Sequence, residues 1–138
     1  MQYEVNHFHK HFTINGTLPS LNEYLAACNK NPRIGNSLKA KSKFIVNNAI
    51  RRDLKRWHTD KRIIIHYHIY EQNMKRDKDN VFAMLSKTVQ DSLQECRVID
   101  NDGWKNVENF THDFFVDRQK PRIEVYIEEL VDEMQQNS

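Results

Sequence analysis

Two aspartates, Asp77 and Asp79, stand two residues apart in the stretch "MKRDKDNVFAMLSKTVQD", just before an amphipathic pattern. Side chains two apart on an extended segment project from the same side, so both carboxylates can face one point. Mg²⁺ takes oxygen ligands, and in phosphate chemistry one or two carboxylates share it with substrate oxygens. Lys75, Arg76 and Lys78 flank the pair and would hold a phosphate. One interpretation of the stretch is therefore a hard-metal site that acts on phosphate, although a pair of aspartates before a helix more often has a structural role.

A third carboxylate is expected from the loop "VIDNDGW", where Asp100 and Asp102 follow the same helix. Three clustered carboxylates repel one another, so such a cluster implies a bound cation. An EF-hand calcium loop is excluded, because Val81 and Phe82 stand where that loop needs an oxygen ligand and a glycine.

The same residues also fit structural roles. Asp79 can cap the helix N-terminus by accepting backbone N–H bonds, and Asp77 can be a loop residue balanced by Arg76. Lys87 and Asp91 are four residues apart and can form a surface ion pair, which contributes little to stability. Alternatively, Lys87 points from the helix toward the metal or the scissile phosphate. Spacing alone favours the surface ion pair.

Apolar periodicity predicts the elements that position these side chains. Strands are expected over Tyr3–Ile14 and Lys61–Gln72, and helices over Ser20–Lys30, Leu38–Trp57 and about Asn80–Cys96. Two more strands, "WKNVENFTHDFFVD" and "PRIEVYIEE", are joined at "RQKP", "NPRIGNS" is expected to be a loop, and the chain ends in an acidic helix or tail. This order predicts a single α+β domain over residues 1–138, with a mixed or antiparallel sheet packed against helices.

The pattern also predicts helix boundaries and buried faces. Ser20 and Glu23 form a capping-box signature at the start of the first helix. The expected buried stripes are Val46, Ile50, Leu54 and Trp57 on the second helix, and Val81, Leu85, Val89, Leu93 and Cys96 on the third, widened by Phe82 and Met84.

Composition narrows the class of protein. The 138 residues carry a formal charge of +2, but Lys30 to Arg62 holds eleven Lys or Arg and only two acids. A basic segment of this kind fits a polyanion partner, most often nucleic acid, and it fits a solvated helix face equally well, so charge alone does not decide between them. No apolar run reaches the roughly 20 residues needed to cross a bilayer, and no signal peptide is visible, so no membrane association and a cytoplasmic location are expected. Cys28 and Cys96 are expected to be free thiols.

Five histidines suggest a separate metal hypothesis. His7, His9 and His11 alternate on the first expected strand, and His66 and His68 on the central one. If those strands were neighbours, four imidazoles could face each other and bind Zn²⁺ or Cu²⁺. The simpler interpretation is a row of histidines on the polar face of a sheet.

Five segments together resemble the RusA-type crossover-junction endodeoxyribonucleases, the small phage-derived Holliday junction resolvases. They are "LPSLNEY", "KRDKDN", "KTVQDSL", "VIDNDGWKNV" and "KPRIEVYIEE", and the resemblance runs from about Phe12 to Glu129. It implies Mg²⁺ or Mn²⁺, a homodimer that cuts four-way-junction DNA in recombination and repair, and phosphodiester hydrolysis that leaves a 5′-phosphate. The dimer would bury strands or the Val81–Cys96 helix.

The resemblance also implies roles for individual residues. The metal ligands fall on Asp77, Asp79 and Asp102, and the lysine important for cleavage falls on Lys87, four residues further from the aspartates than in the best-known member. Asn101 replaces the first acid of the family's acidic pair, so Asp100 is an alternative ligand. Expected DNA contacts are Asn22, Lys39, Lys43, Arg51, Arg52, Lys75 and Arg76. The alternatives are a DNA-binding phage protein without catalysis, and a general structure-specific nuclease on the same fold.

Overall fold

The computed structural model describes residues 10–131 as three helices and four strands. In chain order the elements are β1 (Lys10–Asn15), α1 (Leu21–Lys30), α2 (Pro32–Leu54), β2 (Ile63–Glu71), α3 (Lys78–Glu95), β3 (Val107–Val116) and β4 (Arg122–Glu129). The expected α+β class is confirmed. The expected strand residues before Lys10, and the acidic end after Val131, lie outside the described residues.

The four strands form one mixed sheet in the order β1-β4-β2-β3. β4 runs antiparallel to both β1 and β2, whereas β3 runs parallel to β2. Although β3 and β4 follow each other in the chain, they are not neighbours, because β4 inserts between β1 and β2. The parallel pair requires a crossover, and α3 provides it.

The helices pack on one face of the sheet. The fully buried side chains Phe12, Val125 and Tyr67 occupy one row across β1, β4 and β2 on this face. Val46 and Ile50 of α2 join the same core. The other predicted stripe residues of α2 and α3 are buried in the same core: Leu54, Val81, Leu85, Val89 and Leu93. Trp57 and Cys96, which lie just beyond the ends of these helices, pack against the core and are only partly buried.

The expected loop "NPRIGNS" is wrong, because α2 begins at Pro32. Asn31 caps the helix by accepting a bond from the backbone N–H of Arg33 at 2.9 Å, and Pro32 occupies the first helical position. Gly35, taken from the sequence as a loop residue, is buried where α2 meets α1, and a Cβ there would collide with Cys28. Close helix packing therefore explains this glycine.

The capping box of α1 is confirmed. The backbone N–H of Glu23 donates to Ser20 Oγ at 3.2 Å, and the backbone N–H of Ser20 donates to Glu23 Oε1 at 2.9 Å. Within residues 10–131, none of the helices combines the length and apolarity that crossing a membrane requires.

Candidate functional site

Arg76 fixes the loop that leads into α3. Its Nε and Nη2 each donate to Glu71 at 2.8 Å, which forms a bidentate pair at the end of β2. Its Nη1 donates to the Leu18 carbonyl and to Glu23 Oε1, both at 2.7 Å. The bonds to Glu71 and then to Glu23 raise the pKa of the guanidinium further. Arg76 therefore joins β2, the β1–α1 connection and α1.

Glu23 takes part in two of these contacts at once. It closes the capping box of α1 and accepts from Arg76. The Ser20 backbone N–H, followed by the Arg76 side chain, lowers the pKa of its carboxyl. The segments "LPSLNEY" and "KRDKDN" are thus held together physically, and Arg76, expected from the sequence to contact DNA, is committed to bonds within the chain.

Arg76→Ala is expected to destabilise the fold by about 3 kcal/mol, because the nearly buried carboxylate of Glu71 would lose its partner. Lys75→Ala is the matched control: it removes an exposed cation one residue away and should change the free energy of unfolding by less than about 0.5 kcal/mol. Urea denaturation measures both. Equal stability of the two variants, with weaker DNA binding by Arg76→Ala alone, would restore the role expected from the sequence.

Asp77 and Asp79 lie at the start of α3, and both are exposed. The N-cap is Asp77, so the expected N-cap role of Asp79 is wrong. Asp77 accepts the first helical bond through its backbone carbonyl, from Val81 at 3.1 Å, while its carboxylate makes no capping bond. Asp79 Oδ1 accepts only the neighbouring Asn80 N–H, at 2.9 Å. Neither carboxylate forms an ion pair with another described residue.

Asp102 lies beside the C-terminal half of the same helix. It belongs to the loop between α3 and β3 and lines a pocket with Gln90, Trp104 and Val107. Gln90, which lines this pocket with Asp102, is eleven residues after Asp79 in α3, and a rise of 1.5 Å per residue separates the two by about 16 Å. The carboxylates of Asp77, Asp79 and Asp102 therefore do not converge within one chain, and the three do not form one ion site there.

Asp100 faces a different neighbour from Asp102. Its Oδ2 is 4.0 Å from His58 Nε2, which is 2.9 Å from Asp60 Oδ1. These three exposed residues are the one group of potential metal ligands whose atoms converge within 4.8 Å among residues 10–131. The Arg97 carbonyl, bonded to His58 Nδ1 at 2.7 Å, and then Asp60 raise the pKa of the imidazole. The contacts with His58 account for the positions of both aspartates without a metal.

Lys87 forms the ion pair that its spacing allows, with Nζ 3.3 Å from Asp91 Oδ1. Both residues line a groove between the helices, together with Lys39 and Lys43 of α2 and Tyr24 of α1. Lys87 is therefore brought together with two of the expected DNA-binding lysines and not with the aspartates at the start of α3.

The other expected DNA contacts divide into free and engaged side chains. Asn22, Lys39, Arg51 and Lys75 are exposed. Lys43 is paired with Glu95, and Arg52 donates to Asp53 and to the Thr13 carbonyl. Arg52 and Asp53 thus bind the outer edge of β1, a role that the charge pattern did not indicate.

The histidine hypothesis required the first strand and β2 to be neighbours, and this is wrong because β4 separates them. His7 and His9 lie outside the described residues. His66 is buried and bonded to Thr111 Oγ1 at 2.7 Å and to Glu128 Oε1 at 2.9 Å, and burial lowers its pKa. His68 packs against the rings of Tyr126 and Phe115, as expected of histidines on a sheet face.

Sequence reasoning missed Glu71, whose carboxylate anchors Arg76 and thereby the aspartate loop. The signal was present, since an acid ends a strongly apolar strand five residues before an arginine. Sequence reasoning also assigned no role to Met74 and Trp104, whose side chains are 89% and 95% exposed. A scan of protein-family models finds no match, and a search of curated proteins finds no similar sequence.

Proposed function

We propose that this protein is a metal-dependent, structure-specific DNA endonuclease that cuts four-way junctions. The observation that carries the proposal is the start of α3, where two uncommitted carboxylates stand beside a rigid anchor. An ordinary cap would use the Asp77 carboxylate for backbone N–H groups, whereas here it stays free. The Arg76 contacts hold the loop in place without using either aspartate.

The third ligand is proposed to come from a second copy of the chain. Asp102 is partly exposed in a pocket beside Gln90 and does not converge with Asp77 and Asp79 of its own chain, so it is available to a partner. A homodimer in which each chain supplies Asp102 to the Asp77 and Asp79 of the other would contain two equivalent sites. Two equivalent sites match the paired cuts that resolution of a four-way junction requires.

Asp77, Asp79 and the partner's equivalent of Asp102 would hold Mg²⁺, or Mn²⁺ in its place, through carboxylate oxygens. When bound, the ion supplies an activated water and stabilises negative charge on the phosphate in the transition state. The chain's own residues position the carboxylates and attract the DNA. Arg76 fixes the direction in which the loop presents its carboxylates, and the exposed Lys75 and Lys78 attract the DNA backbone.

The groove between the helices is proposed to carry a junction arm. Lys39 and Lys87 line it from two helices and are exposed, so each can contact a phosphate, whereas Lys43 in the same groove is paired with Glu95. Lys87 then contributes to DNA affinity, and the chemistry depends on the aspartates. The resemblance implied a role for Lys87 in cleavage, but Lys87 lies in the groove with Lys39 and Lys43, and we therefore propose a role in DNA binding.

The double variant Lys39→Ala/Lys87→Ala is expected to weaken junction binding and to reduce the slope of log K against log salt by about two, roughly one unit for each lysine–phosphate pair removed. Lys55→Ala/Arg56→Ala is the charge-matched control. It lies beyond the C-terminal end of α2, about 24 Å from Lys39 at 1.5 Å per residue, and should leave the slope nearly unchanged. Gel-shift titrations at several salt concentrations, in EDTA, measure both. An unchanged slope in the first variant would place the DNA elsewhere.

The substrate class is tested with a panel of four-way junctions, flaps and linear duplexes, each with Mg²⁺ or Mn²⁺. Paired symmetric cuts in the junction alone support the proposal. Equal cutting of flaps would favour the general structure-specific nuclease, and binding without cutting would favour the DNA-binding protein without catalysis.

A further inference from the structure

The two edge strands of the sheet, β1 and β3, differ in whether side chains bond their outward backbone groups. At the β1 edge, the Thr13 N–H donates to Asp53 Oδ2 at 2.9 Å, and Arg52 Nη2 donates to the Thr13 carbonyl at 2.6 Å. Side chains of α2 therefore occupy the outward N–H and C=O of Thr13, in the middle of the edge where another strand would pair. This is a common way to protect an edge from unwanted pairing.

The β3 edge has no such cover from residues 10–131. β3 is the longest strand, at ten residues, and its outer side meets no other strand. The Phe110 N–H bonds to the side chain of Asn109 and so points away from β2. Because backbone direction alternates along a strand, the N–H groups of His112 and Phe114 also point outward.

Exposed apolar side chains are concentrated along this edge. Phe110, Phe115 and Val116 are 43%, 42% and 51% exposed. Met74 and Trp104 lie near the two ends of the strand, Met74 in a pocket with Phe114 to Val116 and Trp104 in a pocket with Val107 and Phe110. A long, apolar, unprotected edge strand is a site for pairing with another strand.

We propose that β3 pairs antiparallel with β3 of a second copy, joining the two sheets into one eight-stranded sheet. The choice of a second copy as the partner rests on the proposed function, because this pairing brings Asp102 of one copy toward Asp77 and Asp79 of the other. The start of β3 adjoins the Asp102 loop. Its end adjoins the start of α3, where Lys78 Nζ lies 5.7 Å from the centre of the Phe114 ring. Antiparallel pairing places the start of one β3 beside the end of the other.

The side of α3 on which Asp79 lies agrees with this arrangement. At 100° per residue, Ser86 and Gln90 lie within about 20° of Asp79 around the α3 axis. Gln90 lines the pocket that contains Asp102, Val107 and Phe110, so this side of α3 faces the β3 edge. Asp79 is therefore on the side of the helix toward which the second copy would approach.

Symmetry limits the register. A two-fold axis perpendicular to the sheet keeps the helices of both copies on the same face and places residues of the same parity opposite each other. With His112 on the axis, Phe110 of each copy opposes Phe114 of the other, and cross-strand aromatic pairs are favourable. Glu108 then opposes Val116, so no like charges meet.

A disulfide tests this register. In a background with Cys28→Ser and Cys96→Ser, His112→Cys is expected to form a disulfide-linked dimer on mild oxidation, because hydrogen-bonded antiparallel partners have Cα atoms about 5.5 Å apart. Asn15→Cys, exposed on the β1 edge, is the control and should remain monomeric on a non-reducing gel. Equal cross-linking of the two variants would overturn the inference.

A proline provides a second, independent test. His112→Pro removes an outward N–H and leaves the β2–β3 ladder intact, so the variant should keep its circular dichroism and become monomeric by light scattering. His112→Ala should stay dimeric. If the His112→Cys variant cross-links and the unaltered dimer cuts no branched DNA, the interface is supported and the proposed function is contradicted. If the unaltered protein is a monomer and still cuts branched DNA, the interface is contradicted and the nuclease activity is supported.

Discussion

Replacing Asp77, Asp79 or Asp102 singly with Asn is expected to lower junction cleavage by about 10³-fold or more, with junction binding retained. Asparagine keeps the shape of the side chain but removes the negative charge and one strong oxygen donor for a hard cation. Binding in EDTA should be equal or tighter, because a carboxylate that repels phosphate has been removed. Cleavage under single-turnover conditions and gel-shift affinity measure the two effects separately.

The matched control is Asp100→Asn, which lies two residues from Asp102 but faces His58. It should cut normally. Melting temperatures of all four variants should agree within a few degrees, because Asp77→Asn leaves a competent N-cap and the other side chains form no buried contact. Normal cleavage by Asp102→Asn together with loss of cleavage by Asp100→Asn would move the ligand to the His58 group.

The elements were predictable where local pattern decides them. The β-branched run of β2, the capping box at Ser20 and the apolar stripe of α3 are each set by neighbours in the sequence. The start of α2 was not, because Gly35 usually indicates a loop, whereas its place against Cys28 depends on how α1 and α2 pack. The position of β4 between β1 and β2 likewise depends on contacts between distant segments.

The candidate site divides in the same way. Asp77 and Asp79 were identifiable because their spacing is local. The commitment of Arg76 to Glu71 and Glu23 was hidden, because those carboxylates come from β2 and α1. The separation of Asp102 from Asp77 could not be read from the sequence either, since it follows from the direction of α3 between two parallel strands.

Mixing two inactive variants is expected to restore cleavage. In a heterodimer of Asp77→Asn and Asp102→Asn chains, one site combines the intact Asp77 and Asp79 of one chain with the intact Asp102 of the other. The second site carries both substitutions. The heterodimer should therefore nick a four-way junction on one strand but not make the paired cuts of the unaltered protein.

The control heterodimer combines Asp77→Asn with Asp79→Asn chains. Both substitutions lie at the start of α3, so each site carries one defect whichever chain supplies Asp102. This mixture should remain inactive. Its inactivity would show that activity in the first mixture does not come from exchanged or contaminating unaltered chains.

A metal site for DNA cleavage that is completed between two copies of this chain is the core of the proposal, and the purified Asp77→Asn/Asp102→Asn heterodimer is its sharpest test. The two chains carry different affinity tags, are produced together and are isolated by both tags in succession. Nicking of a labelled four-way junction with Mg²⁺ is then measured beside each parent homodimer. Single-strand nicks are expected from the heterodimer and none from either homodimer. Absence of nicking by a heterodimer that still binds the junction, while the unaltered protein cuts it, would contradict a site shared between two chains.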